Sequence, residues 1–267
     1  MKLPLRFIKE GQPLTIKNLS SAPWNEIDLF HSIMRFRNPK PTRAFIGTSP
    51  FYYRDKHHCR FVDTFTKKDY TDVVNGNRSV CFVYDTGWLF KPSRWLNKNR
   101  VIVDLSINIY GLSSQDNDQG RDLRSIETLS AWVQASHLNR RAMFDNVNCV
   151  QHDNGMMSVE FNDQTALPSS SPTEPSSLQS HEINGLKWVQ ASEPNQVYFY
   201  TPIAQEDALC FSFMVRSGEA VGEPFTISPD MQKQITAFMF AMLNNVSLTP
   251  STRMNDFIKG KHISGQA

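Results

Sequence analysis

The run NGLKWVQASEPNQVYFYTPIAQEDALCFSFMV, residues 184–215, constrains the fold more than any other stretch of the chain. Three β-prone segments, LKWVQA, QVYFY and LCFSFMV, are separated by turn residues at SEPN and near AQEDA, which is the pattern of an antiparallel meander. In the third segment Leu209, Phe211, Phe213 and Val215 alternate onto one face, the period-two signature of a strand with one buried side.

The same reading extends upstream. VIVDLSINIY, residues 101–110, sets Val101, Val103, Leu105, Ile107 and Ile109 on one face and Asp104, Ser106 and Asn108 on the other. Asn75-Gly76 and Asn154-Gly155 each lie between β-prone runs, and Asn-Gly accepts the positive φ angles of a type I′ hairpin turn. Two hairpins are predicted there. The pentapeptide WVQAS occurs twice. At 132–136 it continues the helical spacing of Ile126 and Leu129, whereas at 188–192 it is hemmed in by Asn184-Gly185 and Glu193-Pro194-Asn195, leaving room only for a strand. No further identities flank the two copies, so they do not mark an internal repeat.

SPDMQKQITAFMFAMLNNV carries a helix start, with Ser228 as N-cap, Pro229 at the first helical position and Asp230 complementing the helix dipole. Met231, Ile235, Phe238, Met239, Met242 and Val246 then form one apolar stripe. The predicted fold class is α+β: a mainly antiparallel sheet of hairpins and a meander, covered on one face by helices at about 123–141 and 229–246. Residues 1–267 are read as one domain with a basic, aromatic-rich N-terminal region (1–100) and a mobile Ser/Pro-rich loop at 162–182.

The net charge is +2, but residues 1–60 hold 11 Lys and Arg against 4 Asp and Glu. The four cysteines are far apart, three of them in apolar strand-like contexts that suit free, buried thiols in a reducing compartment. Pro4, Arg6 and Lys9 interrupt any apolar signal-peptide core, and no window approaches the ~18 apolar residues of a membrane helix. These features predict a cytoplasmic protein with no membrane partner.

The densest group of reactive side chains is DKHHCRFVD, residues 55–63. A hydrolase built on His57, His58 and Cys59 is one reading, yet adjacent strand residues point to opposite faces, and the spacing forms no recognised metal motif. Phosphate-loop, dinucleotide, nucleophile-elbow and zinc-helix motifs are absent from the sequence. No metal and no cofactor is predicted, and the reading leans away from an enzyme. Residues 35–60 instead interleave cations with aromatic rings, a mixture used by single-stranded nucleic-acid surfaces and by protein interfaces alike. Residues 85–100 add a second such patch. The candidate partner-binding residues are Arg35, Arg37, Tyr52, Tyr53, Arg54, Trp88 and Trp95.

Gly185, Trp188, Tyr198, Tyr200, Pro202, Leu209, Phe211 and Phe213, followed by an amphipathic helix, resemble the meander and closing helix of the Mog1/PsbP-like α/β/α sandwich over about 100–246. That resemblance implies immunity or adaptor proteins of type VI secretion effectors, which act by binding. The expected function is accordingly that of a cytoplasmic immunity protein occluding a cognate bacterial toxin. A nucleic-acid-binding module using the basic N-terminal region is the alternative.

Overall fold

The computed structural model describes residues 19–39, 62, 64, 71–72, 78–90, 101–112, 121–145, 147–151, 157–161, 178–193, 195–217 and 227–252. In chain order, β1 (Trp24–Asp28) and β2 (Ser32–Arg37) form a ribbon. Its turn holds Phe30 at φ 68, where the Phe30 N–H donates to the Asp28 carboxylate at 2.9 Å. Next come β3 (Thr71–Asp72), β4 (Arg78–Phe90) and β5 (Val101–Leu112). Helix α1 (Ile126–Asp145) leads to the hairpin of β6 (Val147–Gln151) and β7 (Met157–Phe161). Then follow β8 (Gln179–Ile183), β9 (Leu186–Glu193), β10 (Gln196–Pro202) and β11 (Asp207–Ser217). Helix α2 (Pro229–Leu243) and β12 (Ser247–Pro250) end the described chain.

The main sheet has seven strands in the order β3-β4-β5-β11-β10-β9-β8, antiparallel at every described pairing. It therefore contains the predicted meander, with the long strand β5 paired to β11 along Val101–Gly111. The first predicted hairpin is β3–β4 and the second is β6–β7. Asn184 and Gly185, at φ 52 and 73, make the turn between β8 and β9. The C-terminal end of the loop expected at 162–182 is strand instead, because Gln179–Ile183 pairs with β9; residues 162–177 lie outside the described residues.

The helices do not share a face, contrary to the sequence expectation. Met231, Ile235, Phe238, Met239 and Met242 of α2 belong to one buried cluster with the alternating row Leu209, Phe211, Phe213 and Val215 of β11. Leu129, Trp132 and Val133 of α1 belong to a second, with Tyr198 and Tyr200 of β10 and Ala208 and Cys210 of β11. Both faces of the meander are apolar, so each needs its own cover, and the result is a three-layer arrangement. The small sheet β1-β2-β12 shares the α2 side. Phe36 meets Tyr84 and Phe211 edge-on at ring distances of 5.1 and 6.2 Å. The N-cap of α2 forms as predicted: Ser228 accepts from the Met231 N–H at 3.3 Å.

Candidate functional site

Two predicted binding residues, Arg35 and Arg37, stand on the solvent face of the β1–β2 ribbon. The register pairs Trp24 with Arg37 and Glu26 with Arg35, so these side chains share a face while Ile27, Met34 and Phe36 fill the core beneath. Trp24 is 47% exposed, and the guanidinium carbons of Arg35 and Arg37 lie 5.5 and 4.5 Å from its ring centroid. This is cation–π geometry. Arg37 also donates to the carbonyls of Ser20 and Ala22, and Arg35 pairs with Glu26 at 3.2 Å. Trp24, unremarked in the sequence because no periodic pattern contains it, is the ring around which the cluster forms.

Trp88 is not a surface anchor. It is fully buried, its Nε1–H donates to the Pro39 carbonyl at 3.1 Å, and its ring meets Phe238 edge-on at 4.9 Å. The cause is a β-bulge in β4, where the register with β5 shifts between Phe82 and Tyr84 and turns Tyr84, Thr86, Trp88 and Phe90 inward. Tyr52, Tyr53, Arg54 and Trp95 lie outside the described residues, as do His57, His58 and Cys59.

The bulge also creates a second surface. On the face opposite α2, Asp85 pairs across to Ser106, Gly87 to Asp104 and Phe82 to Asn108, while β11 adds Ser212, Met214 and Arg216. Phe82 is 49% exposed and Met214 42%, so α1 covers this face at one end only. Arg216 Nε binds Asp104 at 2.6 Å. Partial burial first, and the Asp104 charge second, push the Asp85 carboxyl up to about 6, against the opposing hydrogen bond at Thr86. An acid that holds its proton close to neutrality beside a second carboxyl is a recurring arrangement for proton transfer, but here the pair sits on an open shelf between two exposed apolar side chains.

Behind α1 lies a third polar group. His137 is buried; its Nδ1–H donates to Glu193 Oε1 at 2.8 Å and its Nε2 meets the Tyr200 hydroxyl at 3.1 Å. The Tyr198 hydroxyl donates to the other Glu193 oxygen at 3.4 Å. The network fastens α1 to β9 and β10. Among the described residues no group of three or more His, Cys, Asp or Glu side chains is placed to hold a metal ion, and no helix is long and apolar enough to cross a membrane.

Comparison with known proteins returned no family model, no curated protein and no solved structure that matches this chain.

Proposed function

We propose that this chain is a non-enzymatic binding protein that docks a partner protein through the solvent face of its small sheet. The observation that carries the reading is the exposed Trp24 ring held between Arg35 and Arg37. Trp and Arg are the residue types over-represented among those that dominate interface energies. Here the cation–π contacts and the hydrogen bonds of Arg37 order the cluster before a partner arrives, so little rotamer entropy is lost on docking. A protein partner is favoured over nucleic acid by Glu26. Its carboxylate sits against Arg35, where it would repel a phosphate and already occupies the cation that a phosphate would need.

Within this proposal the partner is a cognate bacterial toxin, and the chain is a cytoplasmic immunity protein that covers it. Support comes from the sequence likeness to the Mog1/PsbP-like sandwich and from the absence of catalytic motifs in the sequence. Tyr52, Tyr53, Arg54 and Trp95, which lie outside the described residues, stay candidate contacts in the proposal, and the buried Trp88 does not. The test is co-expression with the toxin encoded by the adjacent gene. The wild-type chain is expected to rescue growth and co-purify with the toxin, and Trp24→Ala to weaken the complex by about 30-fold, the effect of losing a typical hot spot, at unchanged melting temperature. Full affinity after Trp24→Ala would remove this face from the interface; rescue with no stable complex would overturn the binding mechanism altogether.

A further inference from the structure

A cleft of about 220 Å³ opens between α2 and the end of the main sheet formed by β9, β10 and β11. Strand alternation and helix periodicity give it a clear division of labour. Phe199, Val215 and Met239, all nearly fully buried, make an apolar floor. One wall is the strand pair Gln190 and Ser192, and the other is Gln232 and Thr236, four residues apart on the exposed side of α2.

The first wall is fixed in place. His181 Nε2–H donates to Gln190 Oε1 at 2.8 Å, and Gln190 Nε2 donates to Ser192 Oγ at 3.0 Å. The His181 ring in turn meets Phe240 edge-on at 5.2 Å, and Phe240 lines the cleft. This chain leaves the second Gln190 amide hydrogen and the Ser192 hydroxyl proton for a ligand. Gln232 and Thr236 offer a further amide and hydroxyl opposite. Every one of these groups can donate, and the amides and hydroxyls can also accept.

Among the described lining residues only Glu193 ionises, and that carboxylate is engaged by His137 on the other side of the sheet. A charged ligand would lose its hydration here without meeting a counter-ion among these residues. A ligand matched to the site has an apolar face for the floor and a rim of groups that both donate and accept. A volume of about 220 Å³ suits a ligand the size of a single ring.

We propose that this cleft is a binding site for one neutral sugar ring, seated with its C–H face on Phe199, Val215 and Met239 and its hydroxyls bridging Gln190 and Ser192 to Gln232 and Thr236. The site is independent of the Trp24 surface. A ligand of about a dozen heavy atoms with this number of contacts binds with Kd near 1 mM.

The experiment is a titration of the whole chain, followed by protein chemical shifts and by saturation transfer to the ligand. Glucose, galactose and N-acetylglucosamine are the probes, with glucuronate, glucosamine and adenosine as contrasts. At least one neutral sugar is expected to saturate in the millimolar range, at least tenfold tighter than its charged analogue. Thr236→Trp, a substitution at an exposed helix position that fills the cleft, is expected to abolish the signal, and Gln190→Leu to weaken it about tenfold, with melting temperatures recorded for both. No saturable signal from any neutral sugar would overturn the proposal. So would binding that survives Thr236→Trp, or adenosine binding ahead of every sugar.

Discussion

Replacement of Asp85 by Asn is expected to stabilise the protein at neutral pH and to leave it unchanged in acid. In the folded chain the Asp85 carboxyl is pushed from 3.8 up to about 6, so between these values the native state holds a proton that the unfolded state has released. Stability must then fall as pH rises through this window, because the ionised form is the one that burial and Asp104 disfavour. At 1.36 kcal/mol per pH unit the full effect is about 3 kcal/mol. Asp85 is only partly buried, and solvent screening reduces this to about 1–2 kcal/mol. Asn keeps the shape and carries no charge. Urea unfolding followed by tryptophan fluorescence, at about pH 4, 5, 6 and 7, gives the stability difference between Asp85→Asn and wild type. That difference is expected to be near zero at the acid end and to grow in favour of Asn up to about pH 7. A difference that does not change with pH, or an Asn variant less stable than wild type at pH 7, would refute the assignment of a strained carboxylate to this shelf.

Two further substitutions probe the two cores. Phe238→Ala removes a buried ring lying 4.9 Å from Trp88 and 5.3 Å from Phe90, and is expected to cost about 3–5 kcal/mol by denaturant titration; a change within error would mean that α2 does not close this face. His137→Phe deletes the hydrogen bonds that tie α1 to Glu193 and Tyr200, at an expected cost of about 1–3 kcal/mol, with faster hydrogen exchange in α1 than in β5; uniform exchange across both would show that the network does not hold the helix specifically.

Much of the meander was legible because its signals are local. Turn residues at Asn184-Gly185 and at SEPN bracket β9, and the alternation of Leu209 to Val215 marks β11 whatever lies above it. WVQAS shows where locality ends. In α1, Trp132 and Val133 both enter the second cluster, because neighbouring helix positions lie 100° apart and both fit within a broad apolar face. In β9, Trp188 belongs to the first cluster and Val189 to the second, since successive strand side chains leave the sheet on opposite faces. The same Trp-Val pair therefore reports one covered face in the first case and two in the second. Taken seriously in β9, it already required a layer on each side of the sheet. The short strands β1, β2 and β12 gave no comparable signal, because they hold together through pairing between segments more than 200 residues apart in the case of β2 and β12.

The surfaces were less legible than the fold, and β4 shows the physical reason. Counting by twos from the inward Cys81 would place Val83, Asp85 and Gly87 inside and Trp88 outside. The register shift between Phe82 and Tyr84 inserts one residue and reverses everything after it. Trp88 enters the core against Phe238, and Asp85 moves out to the shelf beside Asp104. No residue type in RSVCFVYDTGWLF announces this shift. It is decided by the sum of its consequences: without the bulge the chain would bury a carboxylate and expose a tryptophan, and with it the apolar ring is inside and the acid keeps partial contact with water. One tertiary choice thus removes a predicted contact residue and creates a titrating shelf, so surfaces on this strand follow from the energetics of the core beneath them.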